Sequence, residues 1–129
     1  MKVHIYSCAD CEKCGISLSN WIYEESDITI TNNPKKCDLL IIIGCLLKDQ
    51  EQKLIDTWNR ATKAKILLFG DCPTGKSEFF SHYFNDIKNL AISEKKIDGL
   101  IPIDYKIMGC PPNYEDYKEY YDNYLKNIM

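Results

Sequence analysis

The chain is 129 residues long, 45% apolar and 27% charged, which is the composition of one globular domain able to bury a core without staples. A net charge of −3 and the lack of any Lys/Arg cluster argue against a nucleic-acid surface. The most apolar run, Leu39–Leu47, is too short to span a bilayer, and Met1–Tyr6 lacks the apolar core and cleavage site of a signal peptide. The expectation is a cytoplasmic protein, able to dock onto a membrane complex without crossing the bilayer.

In chain order, Lys2–Tyr6 predicts a short strand ending at a cysteine-rich turn, Ser7 to Cys14. Gly15–Glu25 has helical spacing, with Ile16, Leu18 or Ser19, Ile22 and Tyr23 on one side. Asp27–Thr31 predicts a second strand, and Asn32-Asn33-Pro34 a turn. Cys37–Gly44 is a continuous apolar run of strand length, as found in strands covered on both faces. Lys48–Thr62 predicts a polar helix burying Leu54, Ile55 and Trp58, and Lys65–Gly70 another buried strand. Ser77–Leu90 predicts a helix with Phe79, Phe80, Tyr83, Phe84 and Ile87 on its apolar face. Ile97–Met108 reads as an extended segment, and Asn113–Lys126 as a Tyr-rich amphipathic helix. Strands alternating with helices, two of the strands wholly apolar, predict a single α/β domain over 1–129 with a parallel sheet.

Seven cysteines, an odd number without a secretion signal, point away from a disulfide framework and toward metal, redox or buried thiols. In open α/β sheets ligands bind outside the carboxyl ends of the strands. Cys8, Cys11, Cys14, Cys45 and Cys72 all follow a predicted strand, Cys110 follows the extended segment, and only Cys37 begins one. The first three offer two CxxC pairs, Cys8/Cys11 and Cys11/Cys14. Cys72 and Cys110, each followed by proline, would complete four ligands. Pro111 and Pro112 stiffen the chain behind Cys110. Four thiolates suit an iron–sulfur cluster or a structural zinc. Free cysteine is also among the most buried residue types, which is the reading for Cys37 and Cys45.

Several motifs together resemble a known family. They are Cys11-Glu-Lys-Cys14-Gly-Ile-Ser-Leu, the apolar strand Asp38–Gly44, Gly70-Asp-Cys72, and Ile101-Pro-Ile-Asp104 running to Gly109-Cys110-Pro-Pro. The pattern resembles the small subunit of nickel–iron hydrogenases and its relative, the 20 kDa iron–sulfur subunit of complex I. The last motif is the most specific part. The resemblance implies a flavodoxin-like, doubly wound sheet and one 4Fe–4S cluster held by Cys11, Cys14, Cys72 and Cys110, with Cys8 as the alternative ligand. It further implies a large hydrogenase-like catalytic subunit as partner and a ferredoxin-like electron carrier or subunit. The chain would then relay electrons without itself activating hydrogen. The CxxC favours the hydrogenase side, because complex I relatives usually begin with adjacent cysteines. Two departures stand out: Pro73-Thr74-Gly75-Lys76-Ser77 replaces the paired glycines that usually follow the third cysteine, and Cys45 occupies a place where a small or hydroxyl residue is expected.

Two rivals come from other classes. Gly70-Asp-Cys-Pro-Thr-Gly75-Lys76-Ser77 matches the phosphate-loop pattern between a strand and a helix. Pro73 removes one amide from such a cradle, and Asp104 is the nearest candidate for a magnesium-binding carboxylate. The other rival is a zinc-stabilised or thiol-redox domain built on the CxxC. His4 and His82 read as packing or surface residues. The tyrosines at 114, 117, 120, 121 and 124 read as core cover, or as a partner interface. Asp10, Glu12 and Asp71 crowd the cysteine end, where negative charge would lower a cluster's potential.

Overall fold

The structure is a computed structural model that describes residues 1–8, 13–25, 27–71, 73, 97–109 and 111–125. Its strands are β1 (Lys2–Ser7), β2 (Thr29–Ile30), β3 (Leu39–Ile43), β4 (Lys65–Phe69) and β5 (Tyr105–Ile107). Its helices are α1 (Lys13–Glu24), α2 (Glu51–Arg60), the single turn α3 (Ile97–Leu100) and α4 (Tyr114–Tyr120), which continues as a π-turn over Tyr121–Leu125. The five strands are all parallel in the order β2-β1-β3-β4-β5. That is the flavodoxin-like, doubly wound order, and it puts every strand's carboxyl end on one edge of the sheet.

The central strand explains why the sheet is covered on both sides. Every residue of β3 (Leu39, Leu40, Ile41, Ile42 and Ile43) is buried, and successive side chains point to opposite faces. Leu39, Ile41 and Ile43 join Val3, Leu67, Phe69 and Ile107 in a core under α1 and α4, which supply Leu18, Trp21, Ile22, Tyr117 and Tyr120. Leu40 and Ile42 join Tyr6, Ile66 and Leu68 in the core of the other face, under Leu54 of α2 and Ile97 of α3. At roughly 1.5–3 kcal/mol for each buried aliphatic side chain, either face outweighs what propensity alone contributes to these short strands.

Two aspartates brace the amino ends of the strands in the same way. Asp38 donates its backbone N–H to the Lys2 carbonyl at 2.7 Å, and its carboxylate accepts the Lys2 N–H at 2.9 Å. Asp104 donates to the Ile66 carbonyl at 3.0 Å, and its carboxylate accepts the Ile66 N–H at 2.8 Å. Each thus ties the residue before a strand to its neighbour by two bonds.

The elements depart from the sequence expectation in three places. In α1 the buried stripe is Cys14, Leu18, Trp21 and Ile22, while Ile16 and Tyr23 are 62% and 91% exposed. The helix begins at Lys13, so the i, i+4, i+7 face is led by Cys14 and not by Ile16. The segment 97–108 is not extended throughout: Ile101 donates to the Ile97 carbonyl at 3.1 Å, and both side chains are buried. Their burial in the second core outweighs the β propensity of the isoleucines. Finally, Lys48–Gln50 forms a 3-10 turn before α2, and Thr57 is buried where Ile55 and Trp58 are only half-buried. The helix expected over Ser77–Leu90 lies outside the described residues.

Candidate metal centre

Cys14 is the second residue of α1 and is buried on the face that packs against β4. Its sulfur lies directly against Gly70, just past the end of β4: a Cβ at Gly70 would stand 2.7 Å from Cys14 Sγ. Gly70 also has φ +96°, a conformation that other residues adopt only with strain. Glycine is therefore required here twice, once by the backbone and once by the thiol.

The end of β4 is fastened to the end of β5. Gly70 donates its N–H to the Ile107 carbonyl at 2.8 Å, and Asp71 donates to the Gly109 carbonyl at 2.9 Å. The Asp71 carboxylate accepts the Gly109 N–H at 2.7 Å. Gly109 has φ +136°, and a Cβ there would meet Pro112 Cα at 2.5 Å and the Pro111 carbonyl oxygen at 2.8 Å. The Pro-Pro segment is packed against the glycine that precedes the cysteine. Ser17 of α1 donates to the Pro112 carbonyl across a long 3.4 Å. Three segments thus meet at the carboxyl edge: the start of α1, the end of β4 and the end of β5.

Of the four cysteines expected to form a site, Cys14 is described, whereas Cys11, Cys72 and Cys110 lie outside the described residues. The described chain neighbours of Cys72 and Cys110 carry the geometry. Cys72 follows Gly70-Asp71, and Cys110 lies between Gly109 and Pro111. Those neighbours are in contact with Cys14 or with one another. Among the described residues, no group of three or more His, Cys, Asp or Glu side chains is disposed to hold a metal.

Cys8 has a different environment. It packs with Tyr6, Leu40, Ile42 and Leu46 in the core on the far face of the sheet from Cys14, and its N–H donates to the Ile43 carbonyl at 2.9 Å. Burial pushes the Cys8 thiol up to about 12. Cys37 is fully buried, and its thiol donates to the Pro34 carbonyl at 3.0 Å. Desolvation raises its pKa as well. Cys45 is also buried, just beyond β3. Packing in the second core accounts for the position of Cys37.

The phosphate-loop expectation loses its metal partner. Asp104 precedes β5, and its carboxylate is bonded to Ile66 near the start of β4, at the opposite end of that strand from Gly70. Gly75, Lys76 and Ser77 lie outside the described residues, as do Asp10, Glu12 and His82. His4 sits in β1 with Nδ1 2.9 Å from the Thr31 carbonyl oxygen, a structural contact.

Behind Cys14 and Gly70 stands an aromatic stack that the sequence pattern did not bring out. Trp21 lies 6.4 Å from Phe69 and 5.3 Å from Tyr117, ring centre to ring centre, both stacked. The signal was available in Cys14-Leu18-Trp21, spaced i, i+4, i+7 on the helix. Tyr117, Tyr120 and Tyr121 are core cover, while Tyr114 and Tyr124 stand about half exposed.

Residues 5–122 match the family model described as NADH ubiquinone oxidoreductase, 20 Kd subunit. Among curated proteins, the chain is 25% identical over 113 residues to the uncharacterized protein MJ1363 of Methanocaldococcus jannaschii, covering 82% of this chain and 74% of that one. It is 23% identical over 110 residues to a subunit of the NADH-quinone oxidoreductase of Chlorobium limicola, covering 84% of this chain and 54% of the relative. It is 25% identical over 118 residues to the probable membrane-bound hydrogenase subunit mbhJ of Pyrococcus furiosus, covering 87% and 65%. The chain therefore spans about half to two thirds of the named oxidoreductase subunits. Two solved structures share the fold at a TM-score of 0.70. One belongs to the membrane-bound sulfane sulfur reductase, an archaeal respiratory membrane complex, at 21% identity over 99% of this chain and 70% of that one. The other belongs to an NAD+-reducing [NiFe]-hydrogenase, at 17% identity over 98% and 92%. No helix among the described residues is long and apolar enough to cross a membrane.

Proposed function

Because the chain belongs to the family of the 20 kDa subunit of NADH:ubiquinone oxidoreductase, we propose that it is an electron-transfer subunit carrying one 4Fe–4S cluster on Cys11, Cys14, Cys72 and Cys110. The observation that carries this reading is the contact of Cys14 Sγ with Gly70, together with the bonds that join Asp71 to Gly109. They draw one cysteine and the immediate neighbours of two others to one point on the carboxyl edge. The burial of Cys8 on the other face favours the Cys11/Cys14 pair.

When bound, such a cluster supplies one-electron chemistry. The chain's own residues do the remaining work. Thiolates at the four positions would hold it, Gly70 leaves room beside Cys14, and the Trp21–Phe69–Tyr117 stack closes the site from behind with apolar surface. Hydrogen bonding, charge and burial around the sulfurs set the potential. The relatives are named as subunits of a quinone oxidoreductase and a hydrogenase. In line with these, the proposed partners are a large catalytic subunit of that kind and a ferredoxin-like carrier or subunit, in an assembly at the membrane surface.

Anaerobic purification tests the reading. A brown protein with about four irons and four sulfides is expected, with loss of iron in Ser variants at 11, 14, 72 and 110 but not at 8. A colourless protein with one zinc would replace this reading by the zinc alternative.

A further inference from the structure

Asp38, Asp104 and Asp71 form the same backbone brace in three places. In each, the aspartate's N–H and carboxylate take the carbonyl and N–H of a single residue on the adjacent strand or just beyond its end. Asp38 and Asp104 stand before their strands, at the amino edge. Asp71 alone stands at the carboxyl edge, between Gly70 and Cys72, and grips the residue before Cys110. The strand pair β4/β5 is therefore braced at both ends, by Asp104 and by Asp71. Only the second brace involves the loops that bear cysteines.

We propose that Asp71 is a positioning residue that fixes the Cys72 and Cys110 loops at the separation one cluster needs; this rests on the cluster reading above. Gly109 has a positive φ and no side chain of its own to anchor the loop after β5, so its restraint comes from its neighbours. Pro111 and Pro112 stiffen the chain beyond Cys110, not before it. The Asp71 carboxylate supplies a side-chain restraint on Gly109, accepting its N–H at 2.7 Å, beside the bond from the Asp71 N–H to the Gly109 carbonyl. It also occupies that amide, which could otherwise turn toward a cluster sulfur. Together with the carboxylate charge, this favours the oxidised cluster.

The test compares Asp71→Ala, Asp71→Asn and Asp71→Glu with Asp104→Ala, all purified anaerobically. The readouts are iron content, rate of iron loss to a chelator, EPR signature, and circular dichroism of the cluster-free protein. Asp71→Asn retains an acceptor oxygen for Gly109 and keeps wild-type iron and EPR signature, with a higher potential because the charge is gone. Asp71→Ala and Asp71→Glu lose iron roughly 10–100-fold faster, the usual effect of removing the support of a metal ligand. Asp104→Ala breaks an equivalent brace on the same strand pair and retains iron at the wild-type rate. Wild-type retention in both Asp71→Ala and Asp71→Glu would overturn the proposal and leave the cluster reading intact. Equal iron loss in Asp104→Ala would make the brace a matter of sheet stability alone and would also overturn it. If Asp71→Ala does not fold, the contrast between Asn and Glu decides. A wild-type protein without iron removes the cluster reading, and this inference with it.

Discussion

Cys14 Sγ occupies the space that a side chain at Gly70 would need, leaving only 2.7 Å to a Cβ built there. A residue from the first helix and a residue after the fourth strand are thereby made mutually exclusive in size. Gly70→Ala adds both this overlap and a non-glycine residue at φ +96°, at a cost of about 1–3 kcal/mol for the backbone alone. The expected outcome is a lower thermal midpoint and loss of iron from the purified protein. Wild-type iron and stability in Gly70→Ala would refute the close packing of Cys14 on Gly70.

Trp21 is fully buried between Phe69 and Tyr117. Its truncation to alanine should cost about 3–5 kcal/mol by urea denaturation. Trp21→Phe should cost much less, because Trp21 Nε1 is buried without a partner among the described residues and its removal relieves an unmade hydrogen bond.

The Cys8 thiol titrates near 12 in the folded chain against an ordinary value of 9.0. Its folded pKa is raised, so its contribution to stability is complete below pH 9 and is lost as pH rises from 9 toward 12. Tyr6, pushed by burial to about 12 from 10.0, adds a second alkaline loss that begins near pH 10. Cys8→Ala should abolish the first part of this decline, reduce the second, since Cys8 itself helps raise Tyr6, and keep wild-type iron content. Equilibrium unfolding measured between pH 8 and 11 checks the slope, and metal analysis checks the iron.

The Lys2 N–H, with help from Lys63, holds the Asp38 carboxyl below its ordinary value of 3.8. A depressed folded pKa gives stability that is present above pH 3.8 and is lost as pH falls through the folded pKa. Asp38→Asn should therefore flatten the acid limb of the stability profile below pH 4 and lower neutral stability by the amount that limb carried, even though an amide oxygen can still accept the Lys2 N–H. An unchanged acid limb in Asp38→Asn would rule out this brace as a source of acid sensitivity.

Much of the fold was legible in the chain. The apolar run through Leu39–Ile43 reads as a strand covered on both faces because all five side chains need burial, and each face of a parallel sheet takes alternate ones. The α1 stripe is not legible in the same way, because periodicity gives the spacing of a helix face but not where the helix starts. A start at Lys13 moves the buried face onto Cys14 and Trp21 and leaves Ile16 and Tyr23 outside. The turn at Ile97 is hidden in the sequence because four isoleucines within eleven residues carry a strand preference. Only packing against Leu40, Leu68 and their neighbours reverses it.

By itself the sequence determined the parallel α/β class, the family, and the placing of most cysteines after strands, since strand hydrophobicity and the Gly-Cys-Pro-Pro ending are local properties. The CxxC spacing alone left two overlapping pairs, and the family resemblance favoured Cys14 with Cys8 as the alternative. The tertiary structure separates them, with Cys8 in the core under α2 and Cys14 against Gly70 on the other face. It also pairs Asp71 with Gly109, 38 positions away. Both outcomes depend on which strands become neighbours, and that is decided by burial summed over the whole sheet, not by the residues on either side of a motif.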